Sequence, residues 1–196
     1  MNTRPPSSLV TALAKWIDVM SSYTPLAVWR RFDRATFRAR LIHHLKHWTL
    51  VYLLTALATI WFNAHYMVAL NVTESLPIRL FLVHRGEAPK RGDYVAFRWP
   101  GGGPYPPGAT FIKLVAGVPG DSVTQMDRDF YVNCRPTGLA KRTSRQGLTL
   151  EPGPTGTLPN GSYYVHTPHP DSLDSRYALT GWVSQLQIIG RAHALF

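Results

Sequence analysis

The chain has 196 residues, 45% of them apolar and only 16% charged, so it is sized for about one folded domain and is too apolar to be disordered. Its single cysteine, Cys134, excludes an intramolecular disulfide. A formal charge of +10 calls for an anionic partner, nucleic acid or a lipid surface, and the distribution of that charge separates the two. Residues 1–47 hold 8 Lys/Arg against 2 Asp/Glu, directly ahead of the most apolar stretch of the chain. A basic arm beside an apolar span has a bilayer surface to explain it, and no nucleic acid is expected.

The arm, residues 1–47, reads as helical and interfacial. Leu9, Leu13, Trp16, Ile17 and Met20 recur at helical spacing, and Thr24-Pro25 is a helix start. Val28, Trp29 and Phe32 form one apolar patch among the arginines; Phe37, Leu41 and Leu45 form another on a different face. This pattern fits a basic amphipathic segment on an inner leaflet. His43, His44 and His47 lack a neighbouring carboxylate or cysteine, so they read as headgroup-facing residues rather than metal ligands. No metal or other cofactor is expected.

Residues 48–69 read as a membrane anchor. Trp48 to Val68 contains no Lys, Arg, Asp or Glu, and at about 1.5 Å per residue this length reaches about 30 Å, the thickness of a bilayer core. Aromatic residues lie near both ends. The Lys/Arg excess on the N-terminal side orients the helix with the arm in the cytoplasm and residues 70–196 outside. A long region before the span and the length of the apolar run favour an uncleaved anchor over a signal peptide.

Residues 70–196 read as a small all-β domain of antiparallel strands. Strand patterns occur at 93–99, 110–116, 130–132, 162–166 and 187–195, with Gly and Pro interrupting at 100–108 and 151–161. The uncharged loop Trp99–Gly108 suits either a membrane-resting loop or a plain surface loop. Lys113 lies between Phe111-Ile112 and Leu114-Val115-Ala116. On a strand it shares a face with Phe111 and Val115, where desolvation lowers its pKa and lets it serve as a general base.

Three segments carry the chemistry: Asn71-Val-Thr-Glu-Ser-Leu-Pro77, Ile112-Lys-Leu-Val-Ala-Gly-Val-Pro-Gly-Asp121, and Ser172-Leu-Asp-Ser-Arg-Tyr177 followed by Gly181. Each is weak alone. In this order they resemble the type I signal peptidases, membrane-anchored serine proteases with a Ser–Lys dyad. Ser75-Leu-Pro resembles the nucleophile motif, Arg91-Gly-Asp-Tyr-Val the Gly-Asp strand start, and Lys113 through Asp121 the catalytic-lysine motif. Ser172, Asp174, Ser175, Arg176 and Gly181 resemble the last motif. The resemblance covers residues 71–191.

It implies a signal-peptidase-like β domain behind a single transmembrane helix and the helical arm. Ser75 is then the nucleophile and Lys113 its base. The Ser75 backbone N–H and the Thr73 hydroxyl are oxyanion donors, Ser172 aims the lysine, and Asp174 with Arg176 forms a structural ion pair. Proline two residues after the serine, in Ser75-Leu-Pro-Ile-Arg-Leu-Phe81, is closer to the TraF-type peptidases of conjugation, which mature a pilin precursor. Arg79 and Phe81 depart from the Gly and Tyr of that subgroup. The implied partners are a precursor polypeptide and the bilayer, and the implied location is a bacterial inner membrane with a periplasmic catalytic domain. A general signal peptidase and a non-catalytic scaffold of a secretion apparatus are the alternatives. Glu74, beside the serine, reads as solvated.

Overall fold

The computed structural model describes Lys15 and residues 34–73 and 75–196. The arm features expected before residue 34, and the solvated role expected for Glu74, lie outside the described residues. The chain divides into two units, Met1–Leu57 and Ala58–Phe196.

Helix α1, Arg34–His65, crosses that division. It is long and apolar enough to cross a membrane, and its large apolar side chains, among them Leu50, Leu57 and Ile60, are exposed along it. The helix takes in the Phe37, Leu41 and Leu45 patch of the expected arm and stops at His65, ahead of the expected end of the anchor. Tyr66 to Ala69 are already in a strand. The reason is the partner: the apolar run Tyr66–Leu70 finds a sheet edge to pair with, and tertiary pairing overrides apolar continuity. The turn from helix to strand is packed by rings, with Phe62 stacked on Tyr66 and Tyr66 stacked on His84.

From Tyr66 on, the second unit is antiparallel β with one short 3-10 turn at Gln185–Gln187, as its sequence pattern predicts. In chain order its strands are β1 Tyr66–Leu70, β2 Leu80–Arg85, β3 Tyr94–Arg98, β4 Thr110–Gly117, β5 Ser122–Met126 and β6 Asp129–Val132. There follow β7 Arg135–Leu139, β8 Gly156–Thr157, β9 Ser162–His166, β10 Val183–Ser184 and β11 Ile188–Ala194. A seven-stranded sheet runs β1-β2-β11-β3-β4-β9-β10, and a four-stranded sheet runs β7-β6-β5-β8. The last long strand thus inserts between β2 and β3. Gly190 permits this: a Cβ there would lie 1.9 Å from the His84 carbonyl oxygen, and the register with β3 shifts at that point.

Three buried clusters fill the domain. Val95, Phe97, Trp99 and Val115 centre one; Phe81, Val83, Ala96 and Ile112 a second; Val123, Phe130, Leu158 and Tyr164 a third. Trp99 is almost fully buried, stacks on Phe111 and donates its indole N–H to the Gly102 carbonyl at 3.1 Å. The Trp99–Gly108 loop is therefore anchored to the domain at its first residue, while Gly102 to Gly108 are exposed, as expected of a surface loop. A tryptophan gains more from burying its ring than from solvent, provided its N–H finds an acceptor.

Candidate active site

The nucleophile candidate sits in a turn organised by Asn71, which follows β1. The Asn71 side-chain amide donates to the carbonyls of Leu76 and Ile78, both at 3.1 Å. Its Oδ1 accepts from the Thr73 N–H at 3.2 Å and the Thr73 hydroxyl at 2.8 Å. Thr73 Oγ1 lies 2.8 Å from Ser75 Oγ. A hydroxyl has one proton, and Thr73 gives its own to Asn71, so Ser75 is the donor in the Thr73–Ser75 pair. As folded, the Thr73 proton is not aimed outward as an oxyanion donor, and Ser75 must turn from Thr73 to engage a base.

Lys113 is in the middle of β4, between β3 and β9 in the sheet. Val95 on β3 faces it across the ladder. The side chain is buried, with its amine 5.7 Å from the centre of the Phe111 ring. This is the apolar face that strand alternation predicts. Burial pushes the amine down from its ordinary range to about 8, with nearby Asp174 opposing the shift and Arg176 adding to it. Its hydrogen bond goes to Ser172 Oγ, at 2.7 Å across a sequence separation of 59 residues.

The loop that delivers Ser172 is held by charge and by β9. Ser175 exchanges two hydrogen bonds with Val165, its N–H donating to the Val165 carbonyl and its Oγ accepting from the Val165 N–H, both at 3.0 Å. Arg176 donates from Nε to Asp174 Oδ1 and from Nη2 to Oδ2, both at 2.8 Å. Asp174 also accepts from the backbone N–H groups of Thr167 and Arg176. The remaining guanidinium donors reach the carbonyls of Leu139, His169 and Ser172. The pair is buried and every carboxylate oxygen is occupied, the condition under which a buried pair holds. Gly138, at φ +118°, makes room, because a Cβ there would lie 2.9 Å from Arg176 Nη1.

Thr73, Ser75, Lys113 and Ser172 all line one cavity of about 600 Å³, with apolar walls from Met67, Leu70, Tyr105, Phe111, Leu148 and Leu179. Asp174 and Arg176 are not among its lining residues. Ser75 and Lys113 share this space without a hydrogen bond to each other; catalytic contacts are often long before substrate binds. Among the described residues no group of three or more His, Cys, Asp or Glu side chains is placed to hold a metal ion.

Four residues near the site were given no role in the sequence reading. Asn71 had a signal, since Asn two residues ahead of Thr is the pattern of an Asx turn. His169, Asp171 and Lys141 had none, because what brings them to the cavity is the folding of distant loops.

A sequence model of the signal peptidase family, peptidase S26, matches residues 41–196, which includes every site residue named above. The chain belongs to that family. Among its relatives is the signal peptidase I of Pseudomonas aeruginosa, 29% identical over a 143-residue alignment that covers 55% of this chain and 49% of that protein. This S26 chain thus spans about half the length of the curated relative it matches. A crystal structure of a signal peptidase I from Enterococcus faecalis has 29% sequence identity, covers 56% of this chain and 98% of its own, and superposes with a TM-score of 0.37.

Proposed function

We propose that this S26 chain is a membrane-anchored serine endopeptidase that uses Ser75 and Lys113 as a catalytic dyad. The observation that carries the reading is Lys113: a buried amine with its pKa lowered to about 8, held at 2.7 Å by Ser172 in a cavity that also contains Ser75. Such an amine is neutral often enough near neutral pH to act as a base.

Ser75 Oγ turns from Thr73 and attacks the scissile carbonyl as its proton passes to Lys113. The tetrahedral intermediate collapses, the peptide C–N bond breaks, and Lys113 returns the proton to the leaving amine. An ester at Ser75 remains. Water, or the amine of another peptide end, then attacks this ester, with Lys113 again taking the proton. The Ser75 backbone N–H and the Thr73 hydroxyl are the oxyanion donors; the latter requires Thr73 to release Asn71. One such donor is worth about 3–4 kcal/mol in the barrier. Ser172 aims the amine, and the Asp174–Arg176 pair fixes the loop that carries Ser172.

The arm's border at residue 47, an anchor that ends with the helix at His65, the cytoplasmic arm, the bacterial inner membrane and the periplasmic location belong to this proposal. So do the TraF-type likeness and a conjugative pilin as substrate, supported by proline two residues after Ser75. A general signal peptidase is the second reading, favoured by the name of the Pseudomonas relative. A scaffold without catalysis is the third. Co-expression with a tagged pilin precursor separates them, reading the precursor's mass with wild type and with Ser75→Ala. A mature mass that appears only with wild type supports the first reading, and a further deficit of one water indicates head-to-tail joining. An unchanged pilin together with cleavage of other exported precursors supports the second. Intact precursors throughout support the third.

A further inference from the structure

One wall of the cavity is a short hairpin, residues 141–150, bridged between Thr143 and Thr149. Its turn closes on itself. The Ser144 N–H donates to the Leu148 carbonyl at 2.9 Å, the Gly147 N–H donates to the Ser144 carbonyl at 3.0 Å, and Ser144 Oγ accepts from the Leu148 N–H at 3.1 Å.

Two clamps of different kinds hold this hairpin. At the stem, the Arg128 guanidinium donates to the carbonyls of Ala140, Lys141 and Leu150 at 2.6, 2.9 and 2.7 Å. The second hold is between side chains: Lys141 Nζ from the stem and Arg145 Nε from the tip converge on the two oxygens of Asp171, with Arg145 at 2.7 Å. Asp171 is the residue before Ser172, which aims Lys113. Across the cavity, a Cβ on Gly103 would lie 2.9 Å from Leu179 and 3.9 Å from Leu148, so the hairpin, the Trp99–Gly108 loop and Leu179 meet there.

We propose that Asp171 is a positioning residue that latches the 141–150 hairpin against the cavity, so that its Leu148 wall limits the width of the substrate side chain the cavity accepts. The latch stands on the contacts above; the substrate clause rests on the peptidase reading. The side chains of Lys141 and Arg145 are 40% and 65% exposed. Pairs this exposed add little to global stability. They act instead on the local opening of the hairpin, an equilibrium separate from unfolding, and salt screens them.

The hairpin supplies its own reporter, because trypsin cuts after Lys141, Arg142 and Arg145. The full-length protein in detergent is digested under native conditions and the fragments cut within the hairpin are followed by mass. Asp171→Asn should speed those cuts about three- to fivefold, and high salt should do the same to wild type. Lys141→Gln combined with Arg145→Gln keeps Arg142 as its trypsin site in the hairpin; cutting there should be sped as in Asp171→Asn, and it carries the test if that variant does not fold. Hairpin cuts at the wild-type rate in both variants would overturn the latch.

A positional library of internally quenched peptides reads the second clause. Asp171→Asn should accept bulkier side chains beside the cleaved bond, with a rise in KM that exceeds any fall in kcat and with the pH dependence of kcat retained. Ser172→Ala should instead lower kcat. Faster hairpin cuts with an unchanged peptide preference would overturn the wall. If wild type cleaves no peptide, the peptidase reading and with it the width clause fail, and the trypsin rates still decide the latch.

Discussion

The two sheets of the β domain solve the problem of buried polar groups in opposite ways. In the four-stranded sheet the buried Thr137 hydroxyl is satisfied, donating to the Phe130 carbonyl at 3.0 Å and lying 3.2 Å from the Tyr164 hydroxyl. Around β9 and β10 of the seven-stranded sheet the pattern reverses. Among the described residues, the buried side-chain atoms without a partner are His166 Nδ1, Thr167 Oγ1, Thr180 Oγ1 and Trp182 Nε1, all within residues 166–182. The same segment carries Ser172 and the buried Asp174–Arg176 pair. Burial also holds the His166 imidazole below its ordinary pKa, hence neutral. One sheet packs for stability. The segment from His166 at the end of β9 to Trp182 before β10 concentrates desolvated, costly groups in the stretch that also carries Ser172, and perturbed groups cluster where chemistry requires them.

The sharpest way to break this comparison is at Lys113. Lys113→Met should lower peptide cleavage by several orders of magnitude, and Lys113→Arg should fail equally, because a guanidinium stays charged. Lys113→Met should nonetheless be the more stable protein at neutral pH. Lowering the amine from its ordinary 10.5 to about 8 corresponds to about 3 kcal/mol against folding while both states are protonated. The folded state loses its proton first, so wild type should regain stability relative to Lys113→Met as pH rises from about 8 to about 10.5. Urea titrations across that range measure it, and a difference independent of pH would contradict the buried cationic cost.

Asp174→Asn comes next. It leaves Arg176 buried without its partner and should cost about 3–5 kcal/mol. Thr137→Val in the other sheet should cost only about 1 kcal/mol. Equal costs in chemical denaturation would erase the distinction between the sheets. The rate of acylation should rise with pH through about 8 as Lys113 loses its proton; a flat profile from pH 6 to about 10 would count against Lys113 as base. Smallest of all, Thr167→Val removes a fully buried hydroxyl that has no partner. It should be neutral or stabilise by up to about 1 kcal/mol, whereas a loss would mean the hydroxyl is satisfied in solution.

Strands with a private pattern were legible. The run 162–166 reads as a strand from Ser162-Tyr-Tyr-Val-His166 alone, and β4 from its β-branched and aromatic residues. Strands β1, β2, β5, β7, β8 and β10 were not read. β1 is hidden at the end of an apolar helix, and β7 contains Pro136 and Gly138, which local propensity disfavours. β8 and β10 have two residues each, too short for any period to show.

For the site, periodicity alone placed Lys113 on an apolar face, since alternation along one strand fixes which side chains share a side. The chain also carries, in its own composition, a span long enough for a bilayer and a basic flank before it. What the tertiary structure decided is who meets whom. Strand pairing between β4 and β9 brings Ser172 to Lys113 across 59 residues. The Asn71 turn takes the Thr73 proton, and the folding of two loops brings Lys141 and Arg145 to Asp171. Spacing along a chain encodes faces; contacts across it depend on register and loop closure, which belong to the whole fold.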